Sequence, residues 1–294
     1  MYPGEFDYLR AESVEHALDL LDEHPDAEVL AGGHSLLPTM KSGLADPDTV
    51  VDIGDIESMQ GIEHDGETTS IGALTTYAEI DDTEQLWDGA TALAEAASEI
   101  GDTQVRNRGT IGGNLAHSDP ASDLPGAAIA SDLTLVAEGR DGERRIDADD
   151  FFIAMYMTDL AEDELLTRVE VPRVNGSAGG AYVKKPSPSS GYALVGVAAR
   201  LHLDDGTVTD ARVGANGVMD HGVRLDPVEA ALEGERLNED TITAAAEHAA
   251  ADLDESMMMD DIQASAEYRA HLLEVYTERA LERAAERAGA TVPA

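Results

Sequence analysis

The sequence predicts an α+β chain built as three successive units, and three observations carry that prediction. Apolar residues at helical spacing alternate with short β-branched runs over roughly residues 1–55, the order that makes a small parallel αβ unit. From Ile56 to about 174, hairpin signals and alanine-rich helical stretches mix, as in an α+β unit. Past the small-residue stretch VNGSAGG, over 175–294, three strand-like runs are followed by helices, the pattern of an antiparallel sheet carrying a helical layer.

In order, Ser13 is a credible N-cap for a helix running to His24, with Val14, Ala17, Leu18 and Leu21 on one face and Pro25 beyond it. Strands are expected at Glu28 to Ala31 and around Val50 to Ile53. GIEHDGETTSIG reads as a hairpin turning at Asp65-Gly66, and a helix opens near Thr75 or Thr76. Asp88 to Ile100 has the apolar spacing of one amphipathic helix stopped by Gly101. A long loop to Pro125 follows, then a helix at Leu124 to Ala130, a strand at Leu133 to Ala137 and its partner at Arg140 to Ile146. DADDFFIAMYM is expected as a short helix, and Glu164 to Val171 as a strand ended by Pro172. In the last unit, strands are expected at Ala181 to Lys185, Ala193 to Leu203 and Val208 to Gly214, with Asp204-Asp205-Gly206 as the hairpin turn. Helices are expected at Asp226 to Leu232, Asn238 to Ala251 and Ser265 to about Ala288, the last with Tyr268, Leu272, Val275, Tyr276 and Leu281 on its buried face.

Composition excludes several functions. No stretch of 18 apolar residues is present to span a membrane, and MYPGEFDYLRAES lacks the basic start and apolar run of a signal peptide, so a cytoplasmic protein is expected. The chain has no cysteine, and so no disulfide, no thiolate nucleophile and no cysteine-held iron–sulfur cluster of its own. Sixty acidic residues against 19 basic ones leave a net charge of −41. Nothing basic is available to follow a phosphate backbone. With 43% apolar residues and clear periodicity, the chain reads as folded with an acidic surface, as in proteins that work in concentrated salt. Lysines number only three, Lys41, Lys184 and Lys185, and all lie beside candidate ligand motifs.

Two glycine pairs carry the chemistry. In AEVLAGGHSLLP a short strand runs into Gly32-Gly33, then His34 and Ser35. In GDTQVRNRGTIGGNLAHSDPASDLP, Gly112-Gly113 stand between Thr110 and Asn114. Glycines can take positive φ and bring main-chain N–H groups close to an anion. Neither motif is GxGxxG or a P-loop, so two such turns suggest a ligand with two phosphates lying between them. No GxSxG and no nucleophile–base pair supports a hydrolase, and neither His34 nor His117 has neighbours at metal-ligand spacing.

AGGHSLLP followed by GDTQVRNRGTIGGNLAHSDPASDLP closely resembles the FAD-binding (medium) subunit of the molybdenum hydroxylases. That family includes the carbon monoxide dehydrogenase medium subunit and the flavin portion of xanthine dehydrogenase. The likeness continues through DFF at Asp150 to Phe152, VEVP at Val169 to Pro172, GAYVK at Gly180 to Lys184 and SAEYR at Ser265 to Arg269. It implies a two-lobed FAD-binding domain of the vanillyl-alcohol-oxidase (PCMH) type over 1–174, with lobes 1–55 and 56–174, and a C-terminal flavoprotein domain over 175–294. It also implies non-covalent FAD, an iron–sulfur (small) subunit and a molybdenum (large) subunit as partners in a dimer of heterotrimers, and an external electron acceptor.

By the same resemblance, Ala31, Gly32, Gly33, His34, Ser35 and Leu36 form a first pyrophosphate turn, and Thr110, Ile111, Gly112, Gly113 and Asn114 a second. Asp123 would accept hydrogen bonds from the flavin, or alternatively cap the helix entered at Leu124-Pro125; Asp119 is read as a cap alone. Leu166, Lys184 and Tyr192 match positions at the flavin ring, Lys184 where it would steady negative charge on the reduced ring. Leu166 reads equally as core and Tyr192 as the start of a strand. Arg106 and Arg108 either face a partner or satisfy loop carbonyls. No residue is expected to act as a catalytic acid or base. Two other readings fit the residues: a self-sufficient flavin oxidoreductase of the same fold, and a nucleotide-binding or assembly module without activity.

Overall fold

A computed structural model describes residues 2–174 and 176–290, so Asn175 of the expected linker lies outside the described residues. The first unit is β1 (Asp7–Arg10), α1 (Val14–Glu23), β2 (Glu28–Leu30), α2 (Leu36–Ser42) and β3 (Thr49–Asp52). Its three strands are parallel in the order β1-β3-β2. Ser13 caps α1 as expected, accepting the N–H of His16 at 3.1 Å. The edge strand β1 gave no signal in advance because DYLR is mostly exposed and mixes charge with apolar residues.

The second unit opens with the hairpin β4 (Ile62–Asp65) and β5 (Thr68–Gly72), then the helices α3 (Tyr77–Asp81), α4 (Glu84–Gly89), α5 (Thr91–Ser98), α6 (Thr103–Arg106), α7 (Ile111–His117) and α8 (Leu124–Ala130). There follow β6 (Thr134–Gly139), β7 (Gly142–Asp147), α9 (Ala148–Phe151), the two-stranded ribbon β8 (Phe152–Ala154) with β9 (Met157–Thr158), and β10 (Leu165–Pro172). The antiparallel sheet runs β4-β5-β10-β6-β7. Three expectations change here. The helix expected over 88–100 breaks at Ala90, because Gly89 gives its carbonyl to the N–H of Val174 instead of continuing a helical ladder. DADDFFIAMYM is helical only to Phe151, since extended backbone at Phe152 (φ −91°, ψ 112°) lets two adjacent phenyl rings enter the core edge to face. The long loop before Pro125 contains two short helices, α6 and α7.

The third unit has β11 (Ala178–Pro186), β12 (Ala193–Asp204), β13 (Thr207–Asn216), β14 (Val223–Arg224), α10 (Asp226–Leu232), α11 (Glu239–Ala246) and α12 (Ala266–Arg287). Its antiparallel sheet is β11-β12-β13-β14, a short fourth strand joining the three expected. Asp205 and Gly206, both at positive φ, make the hairpin turn. α11 stops at Ala246, after which His248 and Ala249 bond three residues back. The buried face of α12 carries Leu272, Leu273, Thr277, Ala280 and Leu281, while Tyr268 stays exposed. The strand facing α12 must be bare where they cross: a Cβ on Gly179 of β11 would sit 2.2 Å from the carbonyl oxygen of Ala284.

One apolar core joins the first two units, from Ala17 and Val51 to Leu115, Leu124 and Phe151, and a second lies between the third sheet and its helices. The buried carboxylates are Glu95, Asp123 and Glu229, each with a cationic partner, so nearly all of the acidic excess is at the surface. No helix among the described residues is long and apolar enough to cross a membrane.

Candidate functional site

The first glycine motif is the turn from β2 into α2. Gly33 takes φ +75°, which an L side chain resists, and Gly43 closes α2 in a left-handed cap. Gly32 is needed for space: a Cβ there would lie 2.0 Å from the carbonyl oxygen of Arg108 and 3.0 Å from Cα of Gly109. Among the described residues, the main-chain N–H groups of Gly32, Gly33, His34 and Ser35 donate to no protein acceptor. The Ser35 hydroxyl makes no capping bond. Four consecutive free donors at the start of a helix make an electropositive edge.

The second motif meets the first directly, and it is the start of a helix rather than the glycine turn expected. Ile111 to Asn114 form the first turn of α7, capped by Thr110, whose hydroxyl accepts the N–H of Gly113 at 3.2 Å. Neither Gly112 nor Gly113 has positive φ. The N–H of Gly112 is spent on the carbonyl of Ala73 (2.8 Å) and that of Ile111 on Thr75 (3.0 Å). Gly112 lacks a side chain because one would collide with Ala73, 2.4 Å away, and a Cβ on Gly113 would come to 3.4 Å from Cβ of Ala31. So the second motif contributes close approach and side chains rather than a ring of main-chain donors. Its amide Asn114 donates to the Tyr77 hydroxyl (2.9 Å) and accepts from Ser122 (2.7 Å), which leaves the second amide hydrogen of Asn114 and the hydroxyl proton of Thr110 free.

Beyond Ser122 the chain reaches Asp123, whose side chain does not cap α8. Instead it is buried against the third unit. The Tyr182 hydroxyl donates to its Oδ1 at 2.5 Å and the Lys184 ammonium to its Oδ2 at 2.9 Å. Lys184 also donates to the carbonyl of Glu99 at 2.8 Å. Burial lifts the Asp123 carboxyl to about 6, against the pull of Lys184 and Tyr182, and burial beside that carboxylate holds the Tyr182 phenol well above its usual range. The same loop is stitched to the third sheet by Ala193 N–H to the Ala121 carbonyl and Gly217 N–H to the Pro120 carbonyl. Asp119 is no helix cap: it accepts the N–H of Ala121 in a local turn.

Tyr192 stands half-exposed just before β12. Burial and the neighbouring Asp119, Tyr156 and Asp123 raise its phenol above the usual range. Leu166 is buried in β10 opposite Ala137, next to a one-residue bulge, and packs into the core without a polar contact. His34 is exposed, and no cluster of three metal-ligating side chains occurs among the described residues. Arg106 donates to the carbonyls of Ile100 and Gly101, the loop-satisfying role of the two expected. Lys41 is exposed on the last turn of α2. Sequence reasoning missed Tyr77, Ser122, Tyr156 and Tyr182. Tyr156 adopts φ +59°, donates its N–H to Ser118 and packs against His117 with ring centroids 4.9 Å apart. None of the four lies within a recognisable spacing, though Tyr182 stood in the GAYVK match.

Comparison with known proteins agrees with this arrangement. Residues 4–174 match the model of the FAD binding domain in molybdopterin dehydrogenase, and residues 181–284 that of the CO dehydrogenase flavoprotein C-terminal domain. The carbon monoxide dehydrogenase medium chain of Hydrogenophaga pseudoflava is 36% identical over 97% of this chain and 98% of its own. The glyceraldehyde dehydrogenase medium chain of Sulfolobus acidocaldarius is 34% identical over 97% of this chain and 100% of its own. A solved structure of carbon monoxide dehydrogenase from Hydrogenophaga pseudoflava superposes with a TM-score of 0.93 at 38% identity, covering 98% of this chain and 99% of that one. The chain therefore belongs to the family of FAD-binding domains of molybdopterin dehydrogenases, and it is an oxidoreductase subunit whose cofactor is FAD.

Proposed function

We propose that this chain is the electron-transfer subunit of a molybdenum-containing hydroxylase complex, taking electrons from a partner iron–sulfur subunit and passing them to an external acceptor. The observation that carries the reading is the direct contact of the two glycine motifs, Gly32 against Arg108 and Gly113 against Ala31, beneath a rim of four unpaired N–H groups. Such a rim suits a pyrophosphate held without covalent attachment. The absence of cysteine means that an iron–sulfur cluster feeding the flavin must sit on another chain. FAD, when bound, supplies the ability to accept and release electrons singly or in pairs.

The protein's residues do the rest. Residues 31–36, with Thr110, Gly113 and Asn114, hold and orient the diphosphate end. Gly112 lets α7 lie against Ala73, which sets the distance between the two motifs. Asp123, Lys184 and Tyr192 lie toward the ring, Lys184 offering a fixed positive charge and Tyr192 an aromatic face. Leu166 supports that end from the core. The division into a flavin domain over 1–174 and a C-terminal domain over 175–294 belongs to the same reading, with the third unit closing the ring side. Relatives named for carbon monoxide, glyceraldehyde and nicotine align with nearly the whole of this chain, which fits a substrate site carried by a separate large subunit.

Purification from the native source tests the proposal. The chain should copurify with a cysteine-rich small subunit and a molybdenum-containing large one in equal amounts, as a dimer of heterotrimers. Alone, with FAD, it should show only artificial diaphorase activity. Turnover of a small substrate by the purified single chain would favour a self-sufficient flavin oxidoreductase, and a chain that stays colourless with FAD would refute both.

A further inference from the structure

Tyr182 has no place in the reading so far, yet it occupies an exacting position. It lies in β11 with 1% of its surface exposed, its N–H donating to Glu95 and its hydroxyl to Asp123. Beside it is Asn216, wholly buried, whose side-chain amide lies near enough to the Tyr182 hydroxyl to favour its ionised form but makes no well-aligned hydrogen bond among the described residues. Both crowd the same spot on β12: a Cβ on Gly196 would fall 2.2 Å from the Tyr182 hydroxyl and 2.8 Å from Asn216 Nδ2. A phenylalanine would fill the volume equally well at lower desolvation cost, so the hydroxyl needs a reason. The reason on view is Asp123. Its two oxygens are divided between Tyr182 and Lys184, and Lys184 is further tied to the Glu99 carbonyl.

We propose that Tyr182 is a positioning residue for the flavin: its phenol fixes the Asp123 carboxylate in one orientation, as the charged partner of Lys184, so that the two meet the ring as a preset pair. This rests on the reading that Asp123 and Lys184 lie at the ring. The charged and titratable groups facing Asp123 are Tyr182 and Lys184 on β11, Glu99 after α5, Tyr77 on α3 and Tyr192 before β12. With its phenol removed, the carboxyl loses a donor that favours its charged form, so it protonates at a higher pH and releases Lys184 earlier.

The test uses the full-length apoprotein in concentrated salt, titrated with FAD and followed by flavin fluorescence, over about pH 5 to 8 to bracket a carboxyl near 6. Four proteins are compared: the wild type, Tyr182→Phe, Asp123→Asn and the double variant, with melting curves confirming that each is folded. Tyr182→Phe should weaken FAD binding about 2- to 10-fold at neutral pH, the cost of fixing on binding one carboxylate that the phenol no longer holds, and move the acid fall-off to higher pH. Asp123→Asn should abolish that fall-off, and adding Tyr182→Phe to it should cost nothing more. The proposal is overturned if Tyr182→Phe follows the wild-type curve, if its loss adds in full on the Asp123→Asn background, or if the fall-off survives in Asp123→Asn. A wild-type apoprotein that binds no FAD would overturn the site itself.

Discussion

Gly32→Ala is the sharpest perturbation of the diphosphate cradle. The added methyl would meet the Arg108 carbonyl oxygen at 2.0 Å and its carbon at 2.9 Å, both main-chain atoms that cannot rotate aside. Reaching ordinary contact requires the two motifs to part by about 1.4 Å. Overpacking of this kind costs about 1–3 kcal/mol of stability. The effect on FAD should be larger, because the free N–H groups of residues 32–35 and the side chains of Thr110 and Asn114 would no longer converge. Losing even one charge-assisted bond to phosphate is worth about 1.5–3 kcal/mol, or about 10- to 100-fold in affinity. Gly43→Ala is the control: φ is +79° but no atom lies within 4 Å, so it should cost about 1 kcal/mol of backbone strain and leave affinity unchanged. Fluorescence titration of apoprotein with FAD, with melting curves in the same brine, measures both quantities. If Gly32→Ala binds FAD like the wild type, or if Gly43→Ala weakens it equally, the contact between the motifs does not build the site.

Three further outcomes are expected. The charge of −41 should make folding salt-dependent, with Tm rising steeply from low to molar salt as the Debye length falls to about 3 Å; a Tm indifferent to salt would contradict it. Arg269, 2% exposed, donates to the carbonyls of Leu194 and Gly217 and to Asp261, so Arg269→Leu leaves two buried carbonyls without that donor and should destabilise the fold by about 2–5 kcal/mol in denaturant melts. Burial pushes the Glu95 carboxyl up, but Arg287, the Tyr182 N–H and Arg283 outweigh it and leave it below its usual value. Its contribution is therefore complete above the unfolded carboxylate pKa and lost as acid titrates through the lowered folded value. Stability curves of Glu95→Gln and the wild type should differ at neutral pH and converge in acid.

Local signals were legible wherever a few neighbouring residues decide the outcome. Leu124–Ala130 and Asp226–Leu232 lie where they were expected, because proline in the first turn marks a helix start by local geometry alone. Ser13, Thr76, Asn238 and Ser265 cap helices for the same reason. The ordered glycine motifs carried the family and the cofactor. Hidden from view was what each motif faces. TIGGN reads as a turn whose main-chain donors face an anion, yet those of Ile111 and Gly112 are consumed by Thr75 and Ala73 in another segment, and Gly112 is there to admit that segment.

Asp123 shows the boundary most plainly. Next to Leu124-Pro125 it carries every local mark of a cap, and a capping bond is what local reasoning assigns. Tertiary structure turns it instead toward Tyr182 and Lys184, 59 and 61 residues away. The composition and the spacing of helix, strand and glycine were set within each short stretch of chain. The pairing of a buried carboxylate with one particular phenol and ammonium was settled only when β11 packed beside α5 while α8 packed on β12 and β13, since desolvation and close packing depend on neighbours that sequence separation does not reveal.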